Sequence, residues 1–192
     1  WYSPQKQSVR RLWLTLNPPS FDDQTDDWSR LQTALRQQGV GPVQASLSVL
    51  RRMGTALRAQ NWQVTAVVDQ EAWDCPDCPA RLIDLHPGHV ASDQPLWGAA
   101  VDIGTTTVSL WLVDLLSGRV AAQVAEYNGQ IMRGEDVISR IIYASKPGGE
   151  LEMQQRVVET INALVERACK RVGCQGDQIM KATFTGNSTM IH

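Results

Sequence analysis

The stretch Trp97–Arg119 limits most strongly what this chain can fold into. Ala99 to Ile103 is a short apolar run broken only by Asp102, which suits a buried central strand. Gly104-Thr105 makes a bend, and Thr107 to Val113 returns with β-branched and apolar residues. Ser117-Gly118 supplies the next turn, and Val120 to Val124 a third strand. An Asp at a strand end followed by Gly and three threonines has a chemical use. Gly104 permits a positive φ and a close backbone approach. The amides and hydroxyls of Thr105 and Thr106 can hydrogen-bond phosphate oxygens. Asp102 offers a hard oxygen ligand for Mg²⁺, directly or through water. A hairpin with a Gly-Thr turn and an incidental Asp satisfies the same residues.

The remainder of the chain divides at Ala91-Ser-Asp-Gln-Pro95, a short polar connection closed by a proline. Residues 1–27 read as an extended, turn-rich segment in which Val9 to Leu16 alternates well enough for one strand. Residues 28–90 read as a small α/β module. Asp22, Asp23, Asp26 and Asp27 precede a helix carrying Trp28, Leu31, Ala34 and Leu35, and suit its N-terminal dipole better than a metal. Ser46 caps a second helix, with Leu47, Leu50, Met53 and Leu57 on one face. Two strands follow, Trp62 to Val68 and Arg81 to Leu85. Between and behind them, Cys75, Cys78, His86 and His89 are zinc-type ligands at an unusual spacing, so a loop with two unpaired thiols is the expectation.

After Leu96 the pattern is strands, then a long helix from Glu150 to Val172, with Val157, Ile161, Leu164, Val165, Ala168 and Val172 on one stripe and Gly173 ending it. Cys169 falls on that apolar side. Ile179 to Thr185 is a strand entering the same sheet in parallel through a crossover. It breaks at Gly186 into Asn187-Ser188-Thr189, where a helix N-terminus would offer free amides to an anion or be capped by Asn187 or Ser188. Asn128 to Arg140 is the last cluster: Asn128-Gly-Gln130 leaves the third strand. Gly134-Glu135-Asp136 then precedes a helix expected to turn Val137, Ile138, Ile141 and Ile142 inward.

Asp102-Ile-Gly-Thr-Thr resembles the first phosphate motif of the acetate/sugar kinase, Hsp70 and actin (ASKHA) superfamily. With Asn128-Gly-Gln130, Gly134 to Ile141 and Thr185-Gly-Asn-Ser-Thr-Met190, it is similar to the reductive activators of corrinoid proteins, ASKHA ATPases fused to a [2Fe-2S] ferredoxin domain. The resemblance implies an α/β fold. A small α/β middle module would be followed, over residues 96–192, by the truncated first part of an actin-like, ribonuclease-H-like mixed sheet with a crossover helix. It also implies an ATPase whose hydrolysis drives electron transfer from an iron–sulfur centre to a Co(II) corrinoid. Asp102 would be the catalytic residue and hold hydrated Mg²⁺; Gly104, Thr105, Thr106, Gly186 and Asn187 would contact the phosphates. Asn128, Gln130, Glu135, Asp136 and Arg140 would belong to the cleft or to the partner's docking surface. The cofactors implied are ATP and Mg²⁺, with the [2Fe-2S] centre in a domain upstream of Trp1.

The implied partner is the corrinoid protein of a methyltransferase system, and the module 28–90 would be a spacer or a homodimer-forming element. Two other readings fit parts of the pattern: a sugar or carboxylate kinase of the same superfamily, and a non-catalytic scaffold that alone binds ATP poorly. A formal net charge of −2 over 192 residues advertises no nucleic-acid partner. No run approaches the ~18 apolar residues of a membrane span. Four cysteines and no visible signal peptide suggest a cytoplasmic setting with free thiols or a metal before disulfides. The start without Met, and a stop at Met190-Ile-His192 just inside a helix, read as a piece of a longer protein.

Overall fold

The structure is a computed structural model and describes residues 7–187 apart from 73 and 76. The chain is α/β and forms two compact units, Trp1–Pro95 and Leu96–His192.

In the first unit, strand β1 (Val9–Thr15) is followed by helix α1 (Asp27–Gln37), strand β2 (Val43–Ala45) and helix α2 (Leu47–Ala59). Strands β3 (Gln63–Gln70) and β4 (Ala80–Pro87) complete it. The sheet order is β1-β3-β4-β2, antiparallel except where β2 runs parallel to β4. β1 pairs with β3 along its whole length, from Val9 opposite Asp69 to Thr15 opposite Gln63, so this sheet includes a stretch lying within the segment 1–27. β2 is only three residues long, too short for alternation to reveal it.

Both helices cover the sheet with most of the residues their periodicity puts inward; Leu47, expected on that face of α2, is instead 62% exposed in the first turn, and Val49 is buried. Leu31 and Leu35 of α1 and Val49, Met53 and Leu57 of α2 join Leu14, Val64, Ala66, Val68 and Leu82 in one core. Asp26 caps α1 by accepting from the Ser29 amide at 2.9 Å, and Ser46 caps α2 through the Val49 amide. The neighbouring acids have ion partners: Asp23 with Arg30 at 2.6 Å and Asp27 with Arg58 at 2.6 Å. The guanidinium of Arg11, in β1, donates to three carbonyls of the exit segment, Ala91 (3.1 Å), Gln94 (2.9 Å) and Pro95 (3.0 Å).

Cys75 and Cys78 are joined in a disulfide, which corrects the expected pair of unpaired thiols. A three-residue separation lets a tight turn bring the two sulfurs together. The histidines go elsewhere: His86 faces Asp84 at 3.3 Å and His89 stacks on Trp13. Among the described residues, no group of three or more His, Cys, Asp or Glu is arranged to hold a metal.

The second unit contains strands β5 (Trp97–Ile103), β6 (Thr107–Asp114) and β7 (Arg119–Tyr127). Helices α3 (Val137–Ala144) and α4 (Gly149–Val172) and strand β8 (Ile179–Gly186) follow. The order is β7-β6-β5-β8, with β5, β6 and β7 antiparallel and β8 parallel to β5. The sheet is therefore a meander plus a parallel strand reached through a crossover helix, the mixed arrangement expected for residues 96–192. One face is closed by α4. Leu164 and Ala168 are fully buried against Val101, Val108, Leu110, Leu112, Ala122 and Val124, and Cys169 is buried as well.

Helix α3 departs from expectation. Ile138, Ile141 and Ile142 are 71%, 51% and 60% exposed, whereas Arg140 is 2% exposed. The apolar stripe is real, but within this unit α3 packs on α4 and on a 3₁₀ turn (Gly129–Arg133) through the side that carries the arginine. Among the described residues, no helix is long and apolar enough to cross a membrane.

Candidate functional site: the turn after β5 and the end of β8

Two parallel neighbours end together. Ile103, the last residue of β5, is opposite Gly186, the last residue of β8, and Asp102 is opposite Thr185. Asp102 lies in the ladder between Ser109 of β6 and Thr185, with its side chain exposed on the face away from α4. Just beyond, the Asn187 side-chain amide donates to the Thr105 hydroxyl at 3.2 Å. The two loops named by the sequence, 104–106 and 186–187, thus meet at one end of the sheet. Ser188 to Met190, and the helix expected to begin there, lie outside the described residues.

Gly104 serves the turn differently from its expected role. Its φ is not positive. A Cβ built on it would lie 2.7 Å from the Thr107 carbonyl oxygen, so glycine is required by close approach. Its amide donates to that same oxygen at 3.0 Å and closes the hairpin, so it is not available to a phosphate.

Three successive carbonyls of the turn are held from one side by the segment 128–140. Gly104 O accepts from the Asn128 side-chain amide at 2.9 Å, Thr105 O from the Arg140 guanidinium, and Thr106 O from the Asn128 backbone amide at 2.8 Å. By contrast, among the described residues no acceptor faces the backbone N–H of Thr105 or of Thr106. Two successive unused amides beside two hydroxyls, a side-chain amide and one exposed carboxylate make a donor set suited to a phosphate with its divalent cation.

Asn128, Gln130 and Arg140, expected at a cleft or partner surface, are instead 1%, 8% and 2% exposed. They form one network behind the turn. Arg140 donates to Gly134 O (2.8 Å) and Gln130 Oε1 (3.3 Å), and Gln130 donates to Met153 O of α4 (3.0 Å). Burial pushes the Arg140 pKa down from its ordinary value, with Asp136 nearby opposing the shift. Gly134 belongs to this network too, since a Cβ there would sit 2.8 Å from the Arg140 amide nitrogen. A glycine six residues ahead of an arginine carries no sequence signal for that contact. Asp136 is the N-cap of α3, accepting from the amide (2.8 Å) and hydroxyl (2.9 Å) of Ser139, which hold its carboxyl below the usual range. Glu135 is exposed.

A second polar cluster joins the 3₁₀ turn, α3 and α4, and it was not anticipated. Glu152 accepts from the Tyr143 hydroxyl, from Arg156 at 2.7 Å and from Arg133 at 2.7 Å. These donors, Tyr143 foremost, lower its pKa from 4.5 to about 2. The folded value lies below the unfolded one. The contribution to stability is therefore complete above 4.5 and is lost as pH falls toward 2. Denaturation midpoints measured against pH should drop less steeply for Glu152→Gln than for the unaltered chain across that window, and in parallel above it.

The comparisons with known proteins bear on both units. Residues 97–192 match the family described as the RACo middle region, and residues 4–92 that described as the RACo linker region. The chain belongs to the RACo family. The first unit, read from sequence as the middle module, corresponds to what the family calls its linker region, and the second unit to its middle region. The chain is 37% identical over 113 residues to the corrinoid activation enzyme RamQ of Eubacterium limosum, a match covering 58% of this chain and 19% of that protein. It is also similar to the solved structure of a reductive activator for corrinoid, iron-sulfur protein, with 35% identity and a TM-score of 0.80. That match covers 97% of this chain and 29% of the other. The chain thus spans less than a third of the length of either RACo-type relative.

Proposed function

We propose that this chain carries one side of the nucleotide site of an ATP-dependent reductive activator, acting on the corrinoid protein of a methyltransferase system in the cytoplasm. The observation that carries the reading is the pair of unused amides at Thr105 and Thr106, flanked by Asp102 and Asn187 at the common end of β5 and β8.

The donor set fits Mg-ATP. The Thr105 and Thr106 amides and hydroxyls, with Gly186 and Asn187, would hold phosphate oxygens, and Asp102 would hold the water shell of Mg²⁺. ATP bound there would supply hydrolysis free energy for an otherwise uphill reduction of Co(II) to Co(I). The chain's own part is positional. It fixes donors before the ligand arrives, so that no reorganisation is needed as charge develops. The cysteines do not fit an iron–sulfur cluster: two are joined to each other, and Cys169 and Cys174 lie together at the end of α4. We assign the electron donor to another domain and route no step through these residues.

The test is reduction of a Co(II) corrinoid protein by the full-length protein, followed by absorbance with ATP, with a non-hydrolysable analogue and with neither. Rapid appearance of Co(I) only with ATP is expected. Equal rates in all three, or phosphorylation of a sugar or carboxylate in place of reduction, would exclude the proposal.

A further inference from the structure

Three carbonyls pulled to one side fix where the turn's amides point. In a trans peptide the C=O and the N–H of the same unit point in opposite directions, and the described chain has no cis peptide bond. Arg140 holds Thr105 O, so the N–H of Thr106 is turned away from the buried network. Asn128 holds Gly104 O, so the N–H of Thr105 is turned away in the same manner. Building on the phosphate reading above, we propose that Arg140 and Asn128 are positioning residues. Each aims one backbone amide at the polyphosphate of a nucleoside triphosphate, and neither touches the ligand.

The support behind them is rigid. Arg140 reaches Thr105 O, Gly134 O and Gln130 Oε1 with one planar fork, and Gln130 is anchored on the α4 backbone at Met153. Asn128 uses its side chain on Gly104 and its backbone on Thr106, gripping both ends of the turn. A lysine at 140 would keep the charge but could not maintain these three directions together.

The pairing of each residue with one amide gives the test. Backbone amide resonances of Thr105 and Thr106 are followed in the full-length protein as Mg-ATP is added. Both should move in the unaltered protein. Arg140→Lys should lose the response at Thr106 and keep it at Thr105, and Asn128→Ser should do the reverse. Each should weaken Mg-ATP by about tenfold, roughly one hydrogen bond to a charged group. A merely structural role would lower both responses together, and that result, or unchanged affinity with both responses intact, overturns the proposal. If Arg140→Lys does not fold, Asn128→Ser decides alone, since its loss must be confined to Thr105. If Mg-ATP binds the unaltered protein and neither amide responds, it is the phosphate reading that fails.

Discussion

Replacing Asp102 with alanine is expected to lower ATP-dependent turnover of the full-length protein about a hundredfold, the usual cost of removing one group aimed at developing charge. Stability should change by no more than about 0.5 kcal/mol, because the side chain is exposed and the ladder around it is made by backbone atoms. That separation makes the experiment informative. A carboxylate on an exposed strand position between Ser109 and Thr185 contributes little to the core, so a large loss of rate must come from ligand chemistry. Asp102→Asn keeps the shape and removes the charge. It should weaken the Mg²⁺ dependence of turnover nearly as much as alanine does, with melting curves superimposable on the parent. Turnover within a few-fold of the parent for both variants would refute the proposed role of Asp102 in holding Mg²⁺.

Gly104→Ala is expected to act through the backbone. The new Cβ would meet the Thr107 carbonyl oxygen at 2.7 Å, and that oxygen already accepts the Gly104 amide. Relief requires opening the hairpin, which loses that hydrogen bond and disturbs the Asn128 contact to Gly104 O. We expect a loss of about 1–3 kcal/mol, as for other overpacked positions, and Mg-ATP binding weaker by about tenfold or more from misdirected amides. Gly54→Ala in α2 is the matched comparison. There the nearest atoms are the side-chain ends of Arg58 at 3.3 Å and Asp27 at 3.5 Å, which can shift. Helix propensity then favours alanine by up to about 1 kcal/mol. Chemical denaturation of both variants checks the contrast, and a Gly104→Ala protein as stable as its parent would refute the crowding argument.

The pattern of residues reports faces well and partners poorly. Strands β5, β6 and β7 were legible because alternation and turn glycines mark them directly. β8 was legible because a long amphipathic helix stands between it and the meander. The inward positions of α1, α2 and α4 were likewise readable, Leu47 in the first turn of α2 excepted, since each apolar stripe finds a sheet within the same unit. Helix α3 shows the limit. Its isoleucine stripe predicts an inward face, yet the unit buries Arg140 instead. Periodicity says that a face is apolar and says nothing of what meets it.

The polar network has the same explanation. Asn128, Gln130 and Arg140 stood out in sequence as chemistry-bearing residues, and such residues are usually assigned to a surface. Their burial depends on backbone carbonyls at residues 104–106, 134 and 153, and carbonyls have no sequence signature. The unused amides of Thr105 and Thr106 follow from that network, so they too had to be seen. The disulfide was missed for a different reason. Cysteine spacing permits a bridge, and compartment arguments set against it, but only the conformation of the turn brings the two sulfurs together.

The three hydrogen bonds from Arg11 to residues 91, 94 and 95 have a mechanical consequence. They clasp β1 to the segment that leaves the first unit, 80 to 84 residues later in the chain. Tension carried along the polypeptide would cross at this clasp, and the two helices and the rest of the sheet would hang beside the load path like a bead on a shortened string. Arg11→Ala would leave the same pull to the Trp13 Nε1 hydrogen bond to Val90 O (2.9 Å) and the β1–β3 ladder, so in single-molecule pulling the unit would yield at lower force while its unstressed melting point changed little.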